Sequence, residues 1–174
     1  VGVMPNGNVL LKLGNGEIKL DGGATSKNNI GIYVGEDGGA VKSDGEITLN
    51  KGKGNLAIAA VSSTKPSNVS YNVEVDKVST TDTENSIVIY ANNNATVKVN
   101  ELNISNATIE SDASTSNKKN TGAVYASNGS QVTINRSSAP NSANIDIVGT
   151  ELSDDKGTYV GFGIYADKST VNAQ

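Results

Sequence analysis

Apolar residues in this chain come in short alternating runs, and four of those runs end alike. Ile30-Gly31-Ile32-Tyr33, Ile87-Val88-Ile89-Tyr90, Ala123-Val124-Tyr125 and Gly163-Ile164-Tyr165 each close on a Tyr shortly before a turn signal. Leu56-Ala57-Ile58-Ala59 repeats the phrase without the ring. The marked positions 33, 59, 90, 125 and 165 lie 26, 31, 35 and 40 residues apart. This is an internal repeat of elastic length, and internal repetition decides a fold before anything else does. Further alternating runs fill the intervals. They include Glu46-Ile47-Thr48-Leu49, the stretch Val69-Ser70-Tyr71-Asn72-Val73-Glu74-Val75, Thr96-Val97-Lys98-Val99, Leu102-Asn103-Ile104, Val132-Thr133-Ile134 and Ile145-Asp146-Ile147. A period of two is the strand period. No window carries apolar residues at i, i+3, i+4 and i+7, so no helix is predicted.

Each repeat therefore reads as three short strands joined by turns. One such unit cannot bury its own apolar face, but stacked copies bury a continuous column. Successive units run the same way, so equivalent strands pair in parallel, and parallel crossovers are right-handed in nearly all cases. The expected fold is all-β: a right-handed parallel β-helix of about five to six turns, on the order of 25–30 Å long at the spacing of paired strands. Alternation assigns the faces. Ile30, Ile32, Leu56, Ile58, Ile87, Ile89, Val124, Phe162 and Ile164 are expected inside. Gly31, Ala57, Val88, Ala123 and Gly163 are expected outside with the Tyr positions, whose rings would stack over these small residues. The loops at 50–55, 79–85, 111–120 and 150–158 are expected to leave the solenoid at one edge, where extra length costs little closure entropy.

Composition narrows the class. Apolar residues are 36% of 174, too few for a thick core, yet the net charge is only −4 and the apolar residues are periodic, which argues against disorder. The chain reads as one β-helical segment of a longer protein, with residues 1–20 as an N-terminal cap or a further turn, and its start at Val1-Gly2-Val3 as an excised or mature piece. There is no Cys and no His. A Ser-His-Asp triad, a cysteine nucleophile and an ordinary zinc site are thereby excluded. A pI near 4.8 argues against nucleic-acid and anionic-membrane partners. No apolar run approaches a membrane span.

Repeats of the form GIYVGEDGGAVKSDGEITL (31–49) and IVIYANNNATVKVNELNIS (87–105) resemble the passengers of bacterial type V autotransporters. The Asn- and Lys-rich, Tyr-punctuated style is most similar to the large fusobacterial-type autotransporter adhesins. The resemblance is one of repeat style over nearly the whole chain, and it carries no functional residue across. It implies a β-helical passenger displayed outside a Gram-negative cell, acting in adhesion to host cells, other bacteria or glycans. From the residues themselves no cofactor or metal is expected.

Several residues are candidates for chemistry. Tyr33, Tyr90, Tyr125 and Tyr165 would offer rigid aromatic faces to a sugar or protein receptor; the competing reading is that identical stacked rings merely shield the solenoid wall. Asn117, Lys118, Lys119, Asp154 and Asp155 lie in the loops at 111–120 and 150–158 and are the loop candidates for a partner. Asp154 and Asp155 with Asp167 would supply oxygen ligands for Ca²⁺, but without a calcium-loop spacing they read as ordinary acidic loop positions. Glu74 with Asp76, and Asp44 with Glu46, are carboxylate pairs roughly 7 Å apart along a strand. Such pairs can hydrolyse glycans, but a solvated strand face is the simpler reading, and no enzymatic activity is expected. Asn92-Asn93-Asn94 reads as turn chemistry, since Asn tolerates the left-handed region. A passive stalk, and behind it a polysaccharide lyase or hydrolase, are the alternatives to adhesion.

Overall fold

The computed structural model describes residues 1–21, 27–108, 120–135, 143–148 and 160–173. Within them the chain is all strand and turn. The first strands are β1 (Leu10–Lys12), β2 (Ile18–Asp21), β3 (Ile30–Val34), β4 (Ala40–Asn50) and β5 (Leu56–Ala60). β6 (Val73–Thr81), β7 (Ile87–Ala91), β8 (Thr96–Thr108) and β9 (Asn120–Ser127) follow. β10 (Gln131–Ile134), β11 (Ala143–Val148), β12 (Val160–Asp167) and β13 (Thr170–Ala173) complete the series.

These strands form two sheets, and every pairing between them is parallel. One sheet has five strands in the order β3-β5-β7-β9-β12. The other has eight, in the order β1-β4-β6-β8-β10-β13, with β2 beside β4 and β11 beside β8. From β3 onward the chain alternates between the sheets, with β10 and β11 together making one passage through the eight-stranded sheet, and each strand pairs with its counterpart one repeat away. This is the path of a parallel β-solenoid, and it follows from repetition: identical phrases stack because their apolar residues then meet.

The register shows it. Val73 pairs with Val97 and Val75 with Val99. Ile58 pairs with Ile89, and Ile89 with Val124. All these side chains are fully buried between the two sheets. The three short runs expected per repeat are found in the repeats that start at β3, β5, β7 and β9, but the second and third are continuous in β4, β6 and β8. They are separate strands in β1 and β2 and in β10 and β11. In β4 the join carries an extra residue: Ser43 pairs with Val75 and Glu46 with Lys77, so Asp44 and Gly45 lie opposite Asp76 alone. Gly45 suits this bulge because a Cβ there would run into the backbone of Asn15 and Gly16. Such two-for-one steps bend a strand and strengthen its twist.

The facing expected from alternation needs a correction. Ile32, Ile58, Ile89 and Val124 are buried as expected, but Ile30, Leu56 and Ile87 are partly exposed. Ala57, Val88 and Ala123, expected outside, are fully buried in the core. A Cβ at Gly31 would come within 3.0 Å of the Ile47 side chain, itself buried, so this position also faces inward. The reason is a local bend. The ladder steps from Ile30↔Leu56 to Ile32↔Ile58 and from Ile87↔Gly122 to Ile89↔Val124, leaving the middle position unpaired. At the bend two successive side chains enter the core, and strict period-two alternation fails. Ile164 is 44% exposed on β12, the last strand in the five-stranded order. The side chain of Phe162 lies outside the described residues.

The turns are built from asparagine. Asn93, Asn94 and Asn128 have φ of 54°, 58° and 51°. Asn92 Oδ1 accepts from the Asn93 N–H at 2.9 Å and from Asn128 Nδ2 of the next repeat at 2.7 Å. The Asn92-Asn93-Asn94 run is thus turn chemistry, as its composition suggests. At the corner before β6, Asn72 is wholly buried. Its Nδ2 donates to the carbonyls of Thr64 and Gly39, and its Oδ1 accepts from the Thr96 N–H and hydroxyl.

Candidate functional site

The repeat places one Tyr position per strand on the five-stranded sheet, and the register aligns them. Tyr33 pairs with Ala59, Ala59 with Tyr90, Tyr90 with Tyr125 and Tyr125 with Tyr165. Because paired strands are about 4.8 Å apart, in-register rings meet face to face. The Tyr90 and Tyr125 rings stack with centroids 5.2 Å apart and planes 8° from parallel. Tyr125 and Tyr165 stack at 5.0 Å and 14°. Both spacings fall in the range where aromatic pairs attract beyond their buried area. Tyr90 and Tyr125 are partly exposed, and Tyr165 is 46% exposed. The rings lie outside the core, as expected, but not over Gly31, Ala57, Val88 and Ala123, which turn inward; Gly163 is exposed.

Three of the four candidate Tyr residues are therefore brought together, and the fourth is not. Tyr33 is separated from Tyr90 by Ala59, which leaves a gap of roughly two strand spacings. Its ring instead lies along its own chain, where a Cβ at Gly35 would be 3.1 Å from Tyr33 Cε1. The Ala59 gap was visible in the sequence; that it divides the ladder follows from register. Beside the stack, Ser127 Oγ and Asn128 Nδ2 donate to Asn92 Oδ1 at 3.1 and 2.7 Å. The result is a strip in which aromatic faces adjoin amide and hydroxyl groups.

The outer face of the eight-stranded sheet is charged, and across β4, β6 and β8 the charges are paired. The register puts Lys42, Glu74 and Lys98 in one row and Glu46, Lys77 and Glu101 in the next. Glu74 takes Lys98 at 2.9 Å and Lys42 at 3.7 Å. Lys77 lies 3.5 Å from Glu46 and 3.7 Å from Glu101. Asp76 accepts from Asn100 Nδ2 at 3.0 Å, and Asn100 Oδ1 accepts from Asn135 at 3.2 Å. The carboxylates of the Glu74/Asp76 pair do face outward, but each is engaged by a group on the neighbouring strand. Asp44 sits in the β4 bulge and is exposed.

The loop candidates Asn117, Lys118, Lys119, Asp154 and Asp155 lie outside the described residues. Asp167 is exposed at the end of β12. Several loop boundaries move: Asn50 belongs to β4 and Asn120 to β9. Residues 79–81 belong to β6, and 69–72 precede it as loop rather than strand. That last change exposes a feature missed in the sequence: a long connection, 61–72, at the corner opposite the expected loop edge. Its signal was the interval from Ala59 to the next strand, longer than after any Tyr.

Comparison of the chain with protein-family models, with curated proteins and with solved structures returned no match.

Proposed function

We propose that this chain is a segment of a right-handed parallel β-helix of about five to six turns, displayed outside a Gram-negative bacterium as part of an autotransporter-like passenger. In this reading it adheres to a receptor, protein or glycan, on a host cell or another bacterium. The observation that carries the adhesion reading is the stack of Tyr90, Tyr125 and Tyr165 on the outer side of the five-stranded sheet. Rigid, partly exposed aromatic faces bind with little loss of side-chain freedom. The loops at 111–120 and 150–158 are the second place for contacts. Catalysis is not part of the reading.

A passive stalk is the second reading. It is favoured by the matched charge rows on the eight-stranded sheet, where Glu74 and Lys77 are satisfied within the solenoid rather than offered outward.

The test compares the folded chain with a Tyr90→Ala/Tyr125→Ala/Tyr165→Ala variant on host cells and on a glycan array. Adhesion predicts binding by the first and a loss of at least about tenfold in the second, with unchanged β-type circular dichroism. Folded chain that binds nothing supports the stalk. Full binding by the variant moves the contact to the loops.

A further inference from the structure

The connections that return the chain from the five-stranded to the eight-stranded sheet are short, with one exception. Residues 35–39, 92–95, 128–130 and 168–169 make the corners after β3, β7, β9 and β12, whereas residues 61–72 lie between β5 and β6. The corner itself closes with two to five residues elsewhere, so geometry does not require this insertion. It is nevertheless tied down. Asn72 binds the Thr64 and Gly39 carbonyls, and the Val69 N–H donates to the Pro66 carbonyl at 3.2 Å.

The insertion walls a groove of about 460 Å³ against the outer face of β1, β4, β6 and β8. That volume lies within the range of small-ligand sites. Along its floor the register aligns Lys12, Lys42, Glu74 and Lys98. Glu74 serves both Lys42 and Lys98. Lys12 is exposed beside Lys42 and has no carboxylate partner among the described residues. Like charges on directly paired strands are destabilising, and among the described residues this pair has no second acid to relieve it. Three ammonium groups against one carboxylate give the groove an excess of positive charge in a chain of net charge −4. Its rim is aromatic: Lys98 Nζ lies 5.6 Å from the centroid of the partly exposed Tyr71 ring. Asn68 and Ser70, both exposed, add an amide and a hydroxyl.

We propose that this groove binds an acidic saccharide, carboxylated or sulfated. Lys12 and Lys42 meet the anionic group, the Tyr71 ring meets the apolar face of the sugar, and Asn68 and Ser70 meet its hydroxyls. An acidic peptide would satisfy the lysines but has no need of an aromatic plate beside amide and hydroxyl groups. The proposal supplies a ligand class for the adhesion reading and rests on that reading for its biological setting. The Tyr stack lies on the other sheet, so the two surfaces are tested separately.

The experiment titrates the whole chain with trigalacturonate, with a sulfated disaccharide, with neutral trigalactose and with hexaglutamate, followed by calorimetry. At least one acidic saccharide is expected to bind and to weaken as salt rises, with trigalactose and hexaglutamate binding at least roughly tenfold more weakly. Lys12→Glu and Tyr71→Ala are each expected to weaken acidic-saccharide binding at least roughly tenfold, Lys12→Gln less, and Tyr125→Ala not at all. Lys12 is exposed, so its variants test the groove even if Tyr71→Ala disturbs the loop. Absence of acidic-saccharide binding overturns the proposal. So does binding indifferent to the Lys12 variants, equal binding of trigalactose, or tighter binding of hexaglutamate. Acidic-saccharide binding by a chain that adheres to no cell sustains the groove and defeats the adhesion reading; adhesion without such binding does the reverse.

Discussion

Asn72 illustrates how much one polar side chain can hold in a thin core. Buried amides are tolerated only when their donors and acceptors are met. Asn72 meets four partners and so links the 61–72 insertion, the corner before β4 and the start of β8. Asn72→Ala removes both donor and acceptor and strands the Thr96 N–H. It is expected to cost at least about 2 kcal/mol, measured as a lowered urea midpoint with an unchanged slope. Asn94 acts through the backbone instead. Its φ of 58° is in the left-handed region that β-branched residues avoid. Asn94→Val should cost about 1–2 kcal/mol, whereas Asn94→Gly should be close to neutral in the same titration. Reversal of that order would mean the side chain of Asn94, not its backbone, sets the turn.

The strands behave differently on their two faces. Inside, register brings Val73 to Val97 and Val78 to Leu102, and the column is continuous. Outside, the same register produces ion-pair rows, but these are partly exposed and such pairs contribute little. Glu74→Gln should therefore shift stability by less than about 1 kcal/mol. Gly45→Ala should cost more, about 1–3 kcal/mol, because the added methyl has only the backbone of the β1–β2 connection to displace. Thermal unfolding of the two variants side by side checks the ranking; equal losses would show that the outer rows carry more of the fold than their exposure implies.

Across the molecule, parallel stacking makes each strand depend on its neighbours rather than on a central core. Loops that leave the stack should then be separable from it. Deletion of residues 111–119 is expected to move the melting temperature little, because closure entropy varies slowly with loop length, and under the adhesion reading to weaken cell binding. Loss of cooperative unfolding in the deletion variant would show that those residues belong to the stack.

Most of the architecture was legible as a linear pattern. Period-two alternation with a repeated Tyr phrase specifies strands, their repetition specifies stacking, and stacking identical phrases places Tyr beside Tyr. These are local properties or follow from copying a local property. Three features were not legible for a common reason. The inward turn of Gly31, Ala57, Val88 and Ala123 depends on a bend shared by neighbouring strands. The isolation of Tyr33 depends on which strand lies between it and Tyr90. The groove joins Lys12, Lys42, Tyr71 and Lys98, which come from four segments of the chain. Pairing across the sheets brings such distant residues together, and alternation along one strand contains no term for that pairing.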